Sequence, residues 1–154
     1  MPIGTLAEVA GRTGELGIVV HEVGFVWKAE PTVTCLACSC PRGDALVVRV
    51  RAADAVVLAD FGFAELGAAP QLRPIQCSGN AWETGSGDAE IDLVRAWLDG
   101  SSAVATDLGF TYHTEQQALC RACSWPRGDR LIVLPAADEA QAFAPLGFAD
   151  VYIP

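Results

Sequence analysis

Lysine is almost missing from this chain. Lys28 is the only one in 154 residues, the arginines are scattered, and the formal net charge is −9. A protein that grips a nucleic-acid backbone needs clustered Lys and Arg to displace counterions, so no nucleic-acid partner is expected. Long apolar runs are missing as well. No stretch approaches the roughly 18–20 residues that span a bilayer, so no membrane span is expected. The opening Met1-Pro2-Ile3-Gly4-Thr5 has neither the basic nor the long apolar region of a secretory signal. That reading favours the cytoplasm, where thiols stay reduced.

The usual catalytic constellations are also absent. Of the two histidines, His21 corresponds to Thr106 and His113 to Lys28 in the internal repeat described below, so they are not equivalent. Each reads as a surface or strand residue rather than a catalytic base. The Gly-x-Gly fragment at Gly85 and Gly87 completes no dinucleotide fingerprint. Glu83, beside Trp82, reads as an ordinary loop carboxylate. The chain is read as non-enzymatic.

What is present is a composition of 51 % apolar and 19 % charged residues, which places the chain with globular proteins and not with disordered ones. At this length one compact domain is expected. One stretch occurs twice: Cys35-Leu36-Ala37-Cys38-Ser39-Cys40-Pro41-Arg42-Gly43-Asp44 returns as Cys120-Arg121-Ala122-Cys123-Ser124-Trp125-Pro126-Arg127-Gly128-Asp129. The offset from Cys35 to Cys120 holds without a gap on both sides, matching Gly24-Phe25 to Gly109-Phe110 and Gly62-Phe63-Ala64 to Gly147-Phe148-Ala149. About four in ten positions of 21–65 are identical to 106–150, strong self-similarity for so short a chain. The fold class expected is α+β: two tandem duplicated α-β-loop-β-α-β units packed as one pseudo-twofold domain. On this reading 1–66 is the first unit, 67–87 an irregular connector and 88–154 the second unit.

In chain order, Thr5-Leu6-Ala7-Glu8 fits a capping box opening a short helix that Gly11 and Gly14 interrupt. Leu16, Val19, Val20 and Val23 recur at helical spacing up to Gly24, with a strand at Ile18–Val20 as the competitor. Phe25 to Glu30 alternates as a strand does, and Leu46 to Val50 is a second strand. The loop between them suits an antiparallel pair. Asp54 to Asp60 reads as a short apolar helix. A strand is expected at Leu72–Cys77, a helix from an Asp88 cap through Asp99, and a last strand over 148–153. The helix–Gly-Phe–strand pattern places Gly24, Gly62, Gly109 and Gly147 each at an entry into a strand.

The six cysteines carry the chemical expectation. Each Cys-x-x-Cys sets two sulfurs close enough for one metal ion. Cys35, Cys38, Cys120 and Cys123 together supply the tetrahedral thiolate set of a structural zinc site, provided the two loops meet. The alternative is a disulfide-stabilised secreted or periplasmic interaction module. Cys40 has Trp125 as its counterpart and Cys77 lies outside the repeat, so these two would bond to each other. A thiol redox protein is the third reading. It is disfavoured because a proline and then a strand, rather than a helix N-terminus, follow each pair. Pro41, Arg42, Gly43 and Asp44, like Pro126, Arg127, Gly128 and Asp129, read as turn chemistry, since proline presets φ and glycine permits a tight backbone. The embedded Arg-Gly-Asp matches the integrin-recognition tripeptide, and its recurrence is accounted for by the repeat of the whole unit.

Overall fold

The computed structural model describes residues 11–30, 44–66, 69–74, 80–83, 89–113 and 127–149. It shows an α+β fold around one antiparallel sheet. The strands are β1 (Val20–Lys28), β2 (Asp44–Val50), β3 (Gln71–Leu72), β4 (Ala105–His113) and β5 (Asp129–Pro135), in the spatial order β2-β1-β4-β5-β3. The described residues also form α1 (Ala52–Ala59), α2 (Glu90–Asp99), a 3-10 helix at Ala140–Leu146 and a helical stretch at 11–15. No described helix is long and apolar enough to cross a membrane.

Both strand pairs expected from the sequence, β1 with β2 and β4 with β5, are antiparallel. The central seam joins β1 to β4, with Phe25 opposite Phe110 and Val26 opposite Gly109. Positions matched in the sequence repeat take corresponding places in these ladders. Phe25 lies opposite Leu46 and Phe110 opposite Leu131, and the register shifts at Val20/Glu22 in one ladder and Ala105/Asp107 in the other.

Cross-strand partners share a face of the sheet. The face carrying Phe110, Leu108, Leu131 and Val133 packs on Trp82, Val94 and Leu98 of the α2 region and on Phe143 and Phe148, forming the largest core cluster. Trp82 and Phe143 are almost fully buried there, and Trp82 meets Trp97 and Phe110 at ring-centre distances of 5.6 and 6.4 Å. A second cluster gathers Ile18, Val20, Val23 and Leu58 against Leu46 and Val48. The opposite face holds a small apolar cluster of Val26, Val47 and Ile132, and beside it the charged groups taken up below.

Several local expectations need correction. Val20 and Val23 belong to a strand, not to a helix closing at Gly24. The register shift between Val20 and Glu22 inserts one residue, so Val20 and Val23 reach the same core cluster at a three-residue step that mimics helical spacing. Residues 11–15 are helical straight through Gly11 and Gly14. The residue before α2 is Ala89 with no side-chain cap, in place of the expected Asp88, which lies outside the described residues. The strand expected at Leu72–Cys77 is confined, among the described residues, to Gln71–Leu72, and Ala149 joins Gln71 through a single bridge.

The four glycines divide into two kinds. Gly24 and Gly109 lie inside strands, not at entries to them, because β1 and β4 approach too closely there for a side chain. A Cβ on Gly24 would collide with the Phe110 carbonyl oxygen and stand 2.9 Å from Thr111 Cα. One on Gly109 would collide with the Phe25 carbonyl oxygen and stand 2.9 Å from Val26 Cα. Gly62 and Gly147 follow helices with φ of 86° and 94°, the left-handed region that glycine enters at least cost.

Candidate functional site

Cys35, Cys38, Cys40, Cys77, Cys120 and Cys123 lie outside the described residues, as do Pro41, Arg42, Gly43 and Pro126. What is described is where their connections begin and end. The first connection leaves β1 at Lys28 and enters β2 at Asp44, and the second leaves β4 at His113 and enters β5 at Asp129. Because β1 and β4 are antiparallel, Lys28 lies opposite Asp107 while His113 lies opposite Glu22, so the two connections depart from opposite ends of the seam. Among the described residues, no three His, Cys, Asp or Glu side chains gather closely enough to hold a metal ion.

Of the turn residues, Arg127, Gly128 and Asp129 can be followed in full. Gly128 has φ of 98°. Arg127 turns its guanidinium back onto Asp129, donating from Nε to Oδ1 at 2.9 Å and from Nη2 to Oδ2 at 2.6 Å. Nη1 donates to Glu90 Oε1 at 2.6 Å, the same oxygen that accepts from Trp82 Nε1 at 3.1 Å. The guanidinium also stands 5.3 Å from the centre of the Phe110 ring, and the Arg127 backbone N–H donates to Pro74 O at 2.8 Å. Burial works against the charged guanidinium, but the bonds to Asp129 and Glu90 outweigh it and raise its pKa. Tyr112, opposite Asp129, has its pKa raised by burial and by that carboxylate. This segment is a clasp joining the start of β5 to the first turn of α2 and to the chain beyond β3. With Arg127 and Asp129 paired to each other and Asp129 buried, this Arg-Gly-Asp is not presented as an adhesion tripeptide.

A second cluster was not singled out by the sequence. Glu22 in β1 is buried, with a side-chain exposure of 2 %, and three cationic or titratable groups converge on its Oε1. Arg49 Nη2 approaches to 3.0 Å, Arg130 Nε to 3.2 Å and His113 Nε2 to 3.3 Å. Their angles make them ion pairs rather than aligned hydrogen bonds, and neither Glu22 carboxylate oxygen has a hydrogen-bond partner among the described residues. Arg130 Nη1 donates to Gln71 Oε1 at 3.1 Å, and the exposed Arg73 adds its field to both Arg130 and His113. His113 has its pKa lowered, first by burial and then by these arginines, with Glu22 opposing. The cluster is assembled by pairing of β1 with both β2 and β4, which sets Arg49 and His113 on either side of Glu22. The one sequence signal was an acidic residue inside a valine-rich segment, and nothing local tells a buried carboxylate from an exposed one there. Compared with known proteins, the chain matches no protein-family model, no curated protein and no solved structure.

Proposed function

We propose that the chain is a small, non-catalytic binding protein of two repeated units packed about a pseudo-twofold axis through the Phe25–Phe110 pair. Cys35, Cys38, Cys120 and Cys123 together hold one metal ion such as zinc. The observation that carries this reading is the register. The strands flanking the first Cys-x-x-Cys, Val20–Lys28 and Asp44–Val50, recur around the second pair as Ala105–His113 and Asp129–Pro135. In the seam, a residue displaced one way from Phe25 meets the counterpart of the residue displaced the other way, as a twofold relation requires.

A shared site makes a demand on chain length that the sequence meets. The seam from Glu22 to Lys28 is about 20 Å long at ~3.3 Å per residue, so its middle is ~10 Å from either end. Cys35 is the seventh residue after Lys28, and Asp44 is the sixth after Cys38. Arms of that length reach about 20 Å when extended, enough for both pairs to double back to the middle. Four thiolates on a tetrahedral ion then leave no position open for a substrate, so the ion acts as a structural or regulatory tie and not as a Lewis acid.

The staple between Cys40 and Cys77 meets a harder demand. Asp44 and Pro74 lie near opposite edges of the five-stranded sheet, separated by about four strand spacings, or ~19 Å, and by ~13 Å along the strands. The four steps from Cys40 to Asp44, the three from Pro74 to Cys77 and the ~5.5 Å span of the bridge itself reach about 29 Å, so crossing that distance of about 23 Å requires both segments to run mostly extended across the sheet. The redox reading is weakened because the next described element after each cysteine pair is a strand, β2 or β5.

The deciding measurement is the intact mass of the native protein, with and without chelator and with and without reductant. One zinc per chain, lost on acidification and lost also in Cys35→Ser, is the expected outcome. A gain of about 2 Da per bridge on reduction, with no metal, means disulfides and sinks the proposal.

A further inference from the structure

The Glu22 cluster carries more positive charge than a buried carboxylate needs. Two guanidinium groups, those of Arg49 and Arg130, pair with one carboxylate, and a third, that of Arg73, adds its field to Arg130 and His113, in a chain whose net charge is −9. The opposite end of the same seam supplies a control. In the repeat, Asp107 is the counterpart of Glu22, and Lys28 is the counterpart of His113. There, among the described residues, one cation pairs with the carboxylate, Lys28 Nζ lying 2.9 Å from Asp107 Oδ1, with Thr106 Oγ1 donating to Oδ2 at 2.8 Å. The positions matching Arg49 and Arg130 in that corner are Leu134 and Ala45. Arg73 lies outside the repeated segment. Among the described residues one cation is thus enough for a carboxylate of this sheet; at the Glu22 end Arg130 also ties β5 to Gln71 of β3, and the guanidinium charge still exceeds what Glu22 alone calls for.

Their placement suits a ligand. Arg49, Arg130 and His113 keep side-chain exposures of 20, 13 and 16 % above a Glu22 that is shut away at 2 %, so their outer edges reach solvent. Arg73 is exposed, and its positive field reaches both Arg130 and His113. Arg49 Nε and the hydroxyl of Thr111, a residue only 4 % exposed, are buried without a hydrogen-bond partner among the described residues. Thr111 is the cross-strand partner of Arg130. Unused donors beside guanidinium groups that outnumber the one carboxylate they share are what an oxyanion requires.

We propose that Arg49, Arg73, Arg130 and His113, braced from below by Glu22, form a binding site for a phosphate-type divalent oxyanion. The class follows from charge. Three arginines less one glutamate leave two positive charges, which a dianion balances and a carboxylate only halves. Glu22 holds the guanidinium groups in place and faces away from the ligand. Neutral His113 donates one hydrogen bond, or takes up a proton when the dianion offsets the arginines that depress its pKa.

The test uses the full chain at low ionic strength, with inorganic phosphate and phenyl phosphate as separate probes, followed by calorimetry and by the His113 ring resonances. Saturable 1:1 binding of inorganic phosphate below about 5 mM is expected, with an upward move of the His113 pKa and weakening by added salt. Equal or tighter binding of phenyl phosphate identifies a phosphomonoester as the source of the group; a preference for the inorganic ion identifies free phosphate. Arg73→Ala, which removes an exposed side chain, should leave the unfolding midpoint unchanged and weaken binding about tenfold, the loss of one charge-assisted contact. Lys28→Ala, at the opposite corner, should not change binding. No saturable binding up to about 20 mM, an Arg73→Ala protein that binds like wild type, or an equal loss in Lys28→Ala would each overturn the site.

Discussion

Placing one methyl group on the seam tests the architecture most directly. In Gly24→Ala the new Cβ collides with the Phe110 carbonyl oxygen and stands 2.9 Å from Thr111 Cα and 3.0 Å from the Phe110 carbonyl carbon. Carbon atoms rest about 3.5–4.0 Å apart, so β4 must retreat by roughly 1 Å. The obstacle is backbone, and no rotamer change can relieve it. A retreat of that size stretches ladder hydrogen bonds beyond their usual range of about 2.7–3.2 Å over several pairs of the seam. At about 1 kcal/mol net for each bond lost, and three or so affected, the cost is ~3 kcal/mol. That is a large part of the roughly 5–15 kcal/mol typical of a domain. Gly109→Ala meets the Phe25 carbonyl oxygen in the same way and should cost a similar amount. Because both substitutions push the same two strands apart, the double variant should lose clearly less than the two losses added. Gly14→Ala is the control. It lies in a helical stretch with nothing within 4 Å of the added Cβ, and alanine there should stabilise by about 0.5–1 kcal/mol. Urea unfolding followed by Trp fluorescence reads all four proteins, since Trp82 is buried in the main core. A Gly24→Ala protein as stable as wild type would refute the close approach of β1 and β4.

Arg127→Ala removes a bidentate partner from buried Asp129 and one of the two donors to Glu90, and should lower stability by about 2–3 kcal/mol, discounted for the partly exposed Glu90. Asp129→Asn should be the milder change, because it leaves no unpaired buried carboxylate; the urea midpoints give the order. Gly147→Ala forces a side chain to φ of 94° with its Cβ 3.4 Å from Leu72 Cδ1, and should cost about 1 kcal/mol or more, detectable as a lower thermal midpoint. His113 has a folded pKa below its unfolded value of about 6.5, so the unfolded chain takes up the proton first. Its contribution to stability is present above about pH 6.5 and is lost as pH falls through the folded pKa. His113→Gln should remove that component from the pH profile of the urea midpoint.

Phe25–Lys28 was legible as a strand from its aromatic and β-branched residues, although burial there does not alternate: Phe25 and Val26 are both buried, Trp27 is half-buried and Lys28 is exposed. The strand was illegible at Val20–Gly24, where both faces are largely buried and a register shift breaks the two-residue period. The connecting loops led to the correct antiparallel pairing of β1 with β2 and of β4 with β5, but the Gly-Phe pattern did not lead to the place of Gly24 and Gly109. Helix ends and close-packed strands both select glycine, and the Gly-Phe that follows is common to the two situations. The cysteines announce a site through spacing alone, because ligands on one loop are neighbours in sequence. Glu22, Arg49, Arg73, His113 and Arg130 are strangers in sequence, and only the register of four strands with the chain beyond β3 makes them neighbours. Arg127 fell between these cases. Its tie to Asp129 is local, while its tie to Glu90 crosses a long stretch of chain and depends on how α2 lies on the sheet.

The seam also dictates an order of events during folding. One short connection, from Lys28 to Asp44, joins β1 to β2, and its counterpart from His113 to Asp129 joins β4 to β5. β1 meets β4 only after the whole chain between Lys28 and Ala105 has been closed into a loop. Closing a loop costs free energy that grows with the logarithm of its length, so the two outer pairings are reached before the central one. The last step is then the docking of two preformed hairpins, each presenting an open edge centred on Phe25 or Phe110. Such edges resemble each other as closely as they resemble their proper partner. At high concentration during refolding, β1 of one molecule can meet β1 of another in the register intended for β4, giving exchanged dimers. Refolding yield should therefore fall with protein concentration while the urea midpoint of the recovered monomer stays constant.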